Sequence, residues 1–435
     1  MSADSTDYRD TAEAAWRWVL TQLRWDDGPW LPDSSDPRFR NGFHSGIGGL
    51  AYVLAEIRLG REWTTDEKAL AEAIAGRLTR AIPAETEYNF FDGLVSTIGV
   101  LTVLDVGGAD TAVRRLTAIA TPTGWPQDHY QPPEFLPDTR LNDVTLGTAG
   151  VLMGAVWAHR NGVPAARELG DLAAGVLMAE LETTRAGVNW RYISPRYRTE
   201  EGRQLPNFSH GVAGIAATLA VAGTEFDRPD LVDAATRGAE HLVTLGTRIG
   251  AGFVVPHYIP HEGMDADEFT HNWCHGGAGT SLLFSALEYA GVASVAGDAP
   301  PVWHRRCLHG VRTSGLPERR YPGFWDNDGR CCGTAGVGDV FLDSWQHGGT
   351  PDDLEFALHL AETVVSRAIV EGPHAYWRFI EHRAEEPLLP PGASWSQGAA
   401  GIAAFLFRAT RIAQEGAGAT RVPRMDSWWA VNPST

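Results

Sequence analysis

The chain holds four cysteines in 435 residues, and two of them, Cys331 and Cys332, are adjacent. A thiolate is both a nucleophile and a soft metal ligand. Adjacent thiols therefore admit three readings: buried filler, a vicinal disulfide, or two ligands of one metal. A vicinal disulfide is strained. Placement favours the metal: Cys274 stands two residues before a glycine in "NWCHGGAG", and Cys331 and Cys332 stand before a glycine in "RCCGTAG". Zinc takes thiolates and imidazoles in a tetrahedron, and a catalytic site leaves one position open. Three thiols meet that description, and the start of a helix favours the anionic thiolate. The fourth cysteine, Cys307 in "HRRCLHGV", reads as filler.

Further groups with chemical potential occupy related places. His210 precedes Gly211, His275 precedes Gly276, His44 lies two residues before Gly46, and Asp143 lies four before Gly147. On residue type alone, His210 is either a packed or capping ring or a working group. Asp143 is either a helix cap or part of a site. His44 and His275 read as structural. His257 and His261 in "PHYIPHEG" have the spacing of a metal pair, but their proline-rich context reads as a lid.

These residues share an element. A glycine followed by small residues and an apolar helical run recurs in "HSGIGGLAYVLAEI", "FDGLVSTIGVLTVL", "TLGTAGVLMGAVW", "SHGVAGIAATLAVA", "CHGGAGTSLLFSAL", "CCGTAGVGDVFLD" and "SQGAAGIAAFLF". The motif glycines are Gly46, Gly93, Gly147, Gly211, Gly276, Gly333 and Gly398. Their spacing of about 45 to 65 residues marks a repeat architecture. The motif helices are apolar almost all round and so should be buried. Between them lie amphipathic segments such as "DEKALAEAIAGRLTRAI", "ARELGDLAAGVLMAELE" and "DLVDAATRGAEHLV". An inner helix followed by an outer helix, seven times, predicts an all-α protein, an α/α toroid of seven inner and seven outer helices. Glycine at each motif permits close backbone approach and tight helix entry where the inner helices converge. Seven helix N-termini then surround one mouth, and the residues before each glycine face it. Loops such as "PTGWPQDHYQPPEFLPD" are expected to cover that mouth. No linker divides the chain, so residues 1–435 read as a single domain.

Composition excludes several classes. Hydrophobic residues make up 43% and charged residues 21%, normal for a globular protein with a large core. A formal charge of −18 argues against nucleic-acid binding, which needs clustered Lys and Arg, and disfavours an anionic membrane surface. The polar, acidic start "MSADSTDYRDTAEAAW" lacks the features of a signal peptide, and no apolar run reaches spanning length. Four cysteines in so long a chain do not build a disulfide framework, so the cytoplasm is the expected compartment. The 16 Trp and 48 Gly are both unusually many; the motif accounts for much of the glycine.

The ordered set "NDVTLGTAG", "FSHGVAG", "NWCHGGAG" and "RCCGTAG" resembles the LanC-like lanthipeptide cyclases over nearly the whole chain. The resemblance implies an α/α toroid with seven inner helices, in agreement with the repeat count. It implies one zinc ion per chain, held by Cys274, Cys331 and Cys332. The last replaces the histidine of the commoner Cys-His-Gly form, as in the Cys-Cys-Gly subset. The family's acid/base histidine and its aspartate correspond to His210 and Asp143. Two positions depart from the common pattern: Thr270 stands where many members carry arginine, and His275 where tyrosine is usual, so His275 is a candidate to share the proton-transfer work.

The implied reaction is a Michael-type addition of peptide cysteine thiols to dehydroalanine or dehydrobutyrine, giving lanthionine or methyllanthionine rings. Three protein thiolates make the site more electron-rich than two thiolates and an imidazole. The chain has no kinase motifs, so the dehydrated precursor peptide is expected to come from separate kinase-like and lyase-like enzymes. Two rival readings keep the same fold: addition of a small thiol such as glutathione to dehydrated residues, or a non-catalytic peptide-binding partner. A glycosidase on this fold would need paired carboxylates, and the mouth residues are Cys and His with one Asp.

Overall fold

The computed structural model describes residues 5–34, 36–200, 202–263, 267–318, 327–380 and 388–431. Fourteen α-helices occur among them. They are α1 (Ser5–Gln22), α2 (Leu50–Gly60), α3 (Thr65–Ala81), α4 (Leu94–Val103), α5 (Ala109–Ile119), α6 (Thr148–Arg160) and α7 (Ala166–Ala179). Then follow α8 (Val212–Glu225), α9 (Pro229–Leu245), α10 (Gly277–Tyr289), α11 (Pro300–Arg312), α12 (Thr334–Gln346), α13 (Pro351–Arg367) and α14 (Ala399–Glu415). None is long and apolar enough to cross a membrane.

The seven glycine motifs open α2, α4, α6, α8, α10, α12 and α14. Their apolar circumference is buried: every residue from Val212 to Gly223 in α8, and from Gly277 to Leu287 in α10, is out of solvent. The intervening helices bury one stripe. In α9 this is Leu231, Ala234, Ala235, Gly238, Ala239 and Leu242, the i, i+3, i+4, i+7 pattern of a one-sided helix.

The helices fall into two compact units. One comprises Met1–Ala81, Val100–Gly107 and Gly315–Arg424; the other comprises Ile82–Gly99, Gly108–Ser314 and Met425–Thr435. In the second unit α6 packs on α8 and α8 on α10, while α7, α9 and α11 each cover the motif helix before them. In the first unit α14 packs on α2 and α12, and α13 covers α12. Within each unit this long-range layering is consistent with the toroidal double ring expected from the repeats.

One detail differs from an inner–outer pair repeated seven times. The helix that covers α14 is α1, from the other end of the chain. Its apolar stripe of Tyr8, Ala12, Ala15, Trp16 and Val19 is buried. The seventh outer helix is thus supplied ahead of the first motif. Short two-stranded hairpins also appear, pairing Glu182–Thr184 with Gly187–Asn189, Thr247–Ile249 with Gly252–Val254, and Ile369–Glu371 with His374–Tyr376. They follow α7, α9 and α13 and turn the chain back toward the next motif.

The segments that follow outer helices α5, α7 and α13 explain part of the tryptophan surplus. Trp125, Trp190 and Trp377 are buried, and each donates its indole N–H to a carbonyl near the end of an outer helix: Leu116 at 2.9 Å, Leu177 at 2.8 Å and Val364 at 2.9 Å. A helix end leaves carbonyls without intrahelical donors, and an indole serves them while filling apolar volume.

The turns before the motif helices are tied together in backbone register. In the second unit Phe91 N–H donates to Thr145 (3.3 Å), Val144 to Ser209 (3.2 Å) and Ser209 to Cys274 (2.9 Å). In the first unit Cys331 donates to Ser396 (2.9 Å) and Ser396 to His44 (3.1 Å). Phe91, Thr145, Ser209, Cys274, Cys331, Ser396 and His44 all stand two residues before their motif glycine. Two ligand candidates therefore sit in a hydrogen-bonded belt, where the backbone is fixed before any side chain acts.

Candidate metal centre

Each ligand-bearing turn is built around two glycines. A Cβ on Gly276 would strike the backbone of His271 and Asn272, and one on Gly279 would overlap the Trp273 carbonyl oxygen. Gly333 and Gly336 repeat this against Asn327 and Arg330. The expectation that glycine permits close approach holds, but the approaching backbone is the turn's own, folded onto the helix start, rather than a neighbouring helix. The side chain of Asn272 closes the first turn by accepting from His275 N–H at 2.8 Å. Arg330 braces the second. Its guanidinium lies 4.4 Å over the Trp395 ring and pairs with Asp339, and the missing side chain of Gly401 leaves room for its stem.

These turns bring three thiols together. The Sγ atoms of Cys274, Cys331 and Cys332 all lie within 4.8 Å of one another. Cys274 and Cys331 are 4% and 8% exposed, and Cys332 is half-buried. The Cys331 and Cys332 sulfurs are 3.6 Å apart and unbonded. Thiolates sharing a tetrahedral zinc at 2.3 Å stand about 3.8 Å apart, so this pair already has the spacing of ligands and not of a disulfide. The donor set fits a metal ion, and its soft sulfur chemistry suits zinc. Cys307 lies elsewhere, fully buried in α11, where burial raises its thiol far above the ordinary range and keeps it protonated.

A second group is assembled by Asp143 and His210. Asp143 is fully buried and occupies the turn position that Asn89 and Asn272 hold in their repeats. Its Oδ2 accepts from the backbone N–H of Thr145 (3.2 Å) and Leu146 (3.1 Å), and from the Thr145 hydroxyl (2.6 Å). The same oxygen lies 2.8 Å from His210 Nδ1. The carboxylate therefore closes the turn ahead of α6 and faces His210, whereas α6 itself starts at Gly147 without a side-chain cap, so Asp143 is not a helix cap. A carboxylate facing Nδ1 fixes the tautomer with Nδ1–H donating to it, which leaves Nε2 to exchange protons. Tyr192 packs on His210, 4.8 Å between ring centroids. Burial, reinforced by the nearby Asp143 carboxylate, raises the Tyr192 phenol well above its ordinary value, so it stays neutral.

His275 adjoins this pair, its ring 5.4 Å from that of His210. On its other side His257 packs at 4.1 Å and stacks in turn on Tyr258 at 3.9 Å. His257 is fully buried, and His261 is only partly buried. Among the described residues neither belongs to a ligand cluster of three or more. His44 contributes its carbonyl to the belt, and burial lowers its ring pKa to about 4 despite the neighbouring Cys332 and Asp33, so it stays uncharged. Thr270 is buried and pairs in a bridge with Gly276. Thr145 and Tyr192 are additions to the residues expected from the sequence. Thr145 stands at the same motif position as Cys274, whereas Tyr192 sits in a loop without repeat signal.

Against known proteins, no curated sequence matches this chain. Among solved structures, nisin cyclase superposes with a TM-score of 0.54 at 13% identity, covering 91% of this chain and 92% of that one. The Lin0763 protein from Listeria innocua gives 0.50 at 11% identity, covering 94% and 98%. Both likenesses are of fold. The sequence itself matches the family model described as lanthionine synthetase C-like protein across residues 37–410. With the cysteine cluster, that match supports a metal-dependent enzyme and is consistent with a lanthionine-forming thioether cyclase. A glycine-motif helical fold, a clustered three-cysteine ligand set and a family match over most of its length together place this chain in the lanthionine synthetase C-like family.

Proposed function

We propose that the protein closes thioether rings in a dehydrated precursor peptide, as one catalytic domain spanning residues 1–435 and carrying one zinc ion on Cys274, Cys331 and Cys332. The observation that carries this reading is the three thiols gathered within 4.8 Å from two motif turns. A zinc ion held there would lower the pKa of an incoming thiol so that it reacts as a thiolate at neutral pH. The substrate sulfur bonds to the β-carbon of dehydroalanine or dehydrobutyrine, and the π electrons of the alkene move to the α-carbon and its carbonyl. His210 Nε2–H delivers a proton to the α-carbon, and the proton given up by the substrate thiol restores it. Asp143 holds the Nδ1 side of the ring through the whole cycle, 2.8 Å away. His275, beside His210, is the second proton-bearing group in reach of the same place.

Dehydration requires other enzymes, kinase-like and lyase-like, which must act first. Three working thiols need to stay reduced, which fits the cytoplasm. The test is to purify the protein, count its metal, and incubate it with a dehydrated Cys-containing peptide. The expected result is about one zinc per chain and loss of the free thiol without change in mass. Cys274→Ala should lose both metal and ring closure while keeping its helical circular dichroism. A metal-free protein that still closes rings would overturn the reading.

A further inference from the structure

Beside the His210 group the second unit carries a cavity of about 310 Å³, lined among others by Arg191, Tyr192, Arg198, Glu200, Gly202 and Arg203. That volume falls in the range of sites for small ligands and side chains, about 300–1,000 Å³. Among its described lining residues three arginines stand against one glutamate, in a chain whose formal charge is −18. Two of the three are engaged: Arg191 with Glu182 at 3.2 Å, and Arg203 with the Glu262 carbonyl at 2.8 Å.

Arg198 is different. Its guanidinium lies 5.2 Å over the Phe135 ring and against the Cα of Gly202, where any side chain would collide with it. Among the described residues no carboxylate pairs with it. Its backbone is held in register with Phe135, and Phe135 belongs to a buried cluster with Leu141, Tyr192 and Ile193. A half-buried guanidinium on a fixed aromatic platform, with its fork of donors unspent, is built for a carboxylate. Tyr192 lines this cavity and also packs on His210. An occupant would therefore lie one side chain away from the proton-transfer group.

We propose that this cavity binds a carboxylate of the peptide substrate, with Arg198 as the residue that reads it. That the occupant is a peptide rests on the cyclase reading. The carboxylate has two possible sources, an Asp or Glu side chain near the reacting residue or the peptide's C-terminus.

The experiment measures binding alone. Fluorescein-labelled Ala-Ala-Ser-Glu-Ser-Ala amide, the same peptide with Gln for Glu, and the Gln peptide with a free C-terminus are titrated with the full-length protein by anisotropy. None carries a thiol or a dehydrated residue, so the outcome does not depend on zinc or ring closure. Either carboxylate peptide should bind about 5- to 10-fold more tightly than the neutral one, and which does so identifies the source. Arg198→Gln should erase that gain. Gly202→Ala should erase it too, because the new methyl displaces the guanidinium while the charge stays. Arg185→Gln, an equal charge change at an exposed turn, should leave it intact. Equal affinity for all three peptides, or a gain that survives in Arg198→Gln or disappears in Arg185→Gln, would overturn the proposal.

Discussion

The repeat supplies its own control for Asp143. Its Oδ2 takes two turn N–H groups, the Thr145 hydroxyl and His210 Nδ1. In the equivalent turns Asn89 and Asn272 close the structure with an amide oxygen, each accepting one N–H at 2.8 Å. Asp143→Asn should therefore fold, because the turn accepts asparagine elsewhere. What it loses is the negative charge opposite His210. A hydrogen bond to a charged partner is worth about 1.5–3 kcal/mol, which at about 1.4 kcal/mol per decade is a 10- to 150-fold slower ring closure. Asp143→Ala adds the loss of the turn acceptor, costing about 1–3 kcal/mol of stability. The assay follows free thiol in a dehydrated peptide by alkylation and mass spectrometry, with metal content and thermal unfolding measured on the same samples. Asp143→Asn closing rings at the parent rate would refute the role assigned to the carboxylate. If it instead lost its metal, the aspartate would belong to the ligand sphere.

Cys332→His should keep its metal, since a histidine there restores the commoner family ligand set, but close rings more slowly because the site is less electron-rich; equal turnover at equal zinc would remove the charge argument. The glycines should separate by environment. Gly279→Ala, whose methyl meets the Trp273 carbonyl, should lower stability by about 2–3 kcal/mol, whereas Gly175→Ala, exposed in α7 with open space around it, should raise it by about 0.5–1 kcal/mol in denaturant titrations. Asp339 is buried, which alone would raise its carboxyl, yet Arg330, Arg424 and Arg408 hold it well below the usual range. A depressed folded-state pKa stabilises above the unfolded value near 4 and is lost as pH falls through the folded one. Asp339→Asn should accordingly be less stable at pH 7 and show a flatter loss below pH 4; an acid limb as steep as the parent's would show that other carboxylates set it.

Much of this molecule is legible in its sequence, and the exceptions have a common physical cause. The motif helices announce themselves because full burial forbids polar residues around their whole circumference. The outer helices do so because one-sided burial imposes a period. Cys274, Cys331 and Cys332 stand out through their alignment to the motif glycines, which is a local signal. The pairing of α1 with α14 is not local: an amphipathic stripe states that a helix has a partner without naming it. The packing of His257 on His275 is of the same kind, since a proline-rich loop segment does not state what lies behind it. For Asp143 the residue type alone leaves the partner open: one carboxylate oxygen closes the turn before α6 and also faces His210.

The covering of α14 by α1 also sets a timetable. Residue 22 ends α1 and residue 399 begins its partner. At ribosomal rates of about 5–20 residues per second, roughly 20–75 s separate their appearance. Throughout that interval the stripe of Tyr8, Trp16 and Val19 has no α14 to cover it, while the segment from Gly108 to Ser314 is synthesised without interruption. The larger part of the second unit can thus assemble on the nascent chain and receives its Met425–Thr435 segment last, whereas the first must wait for α14 to form a complete layer. During that wait the early helix carries transiently uncovered apolar surface, the kind that exposes a nascent chain to aggregation.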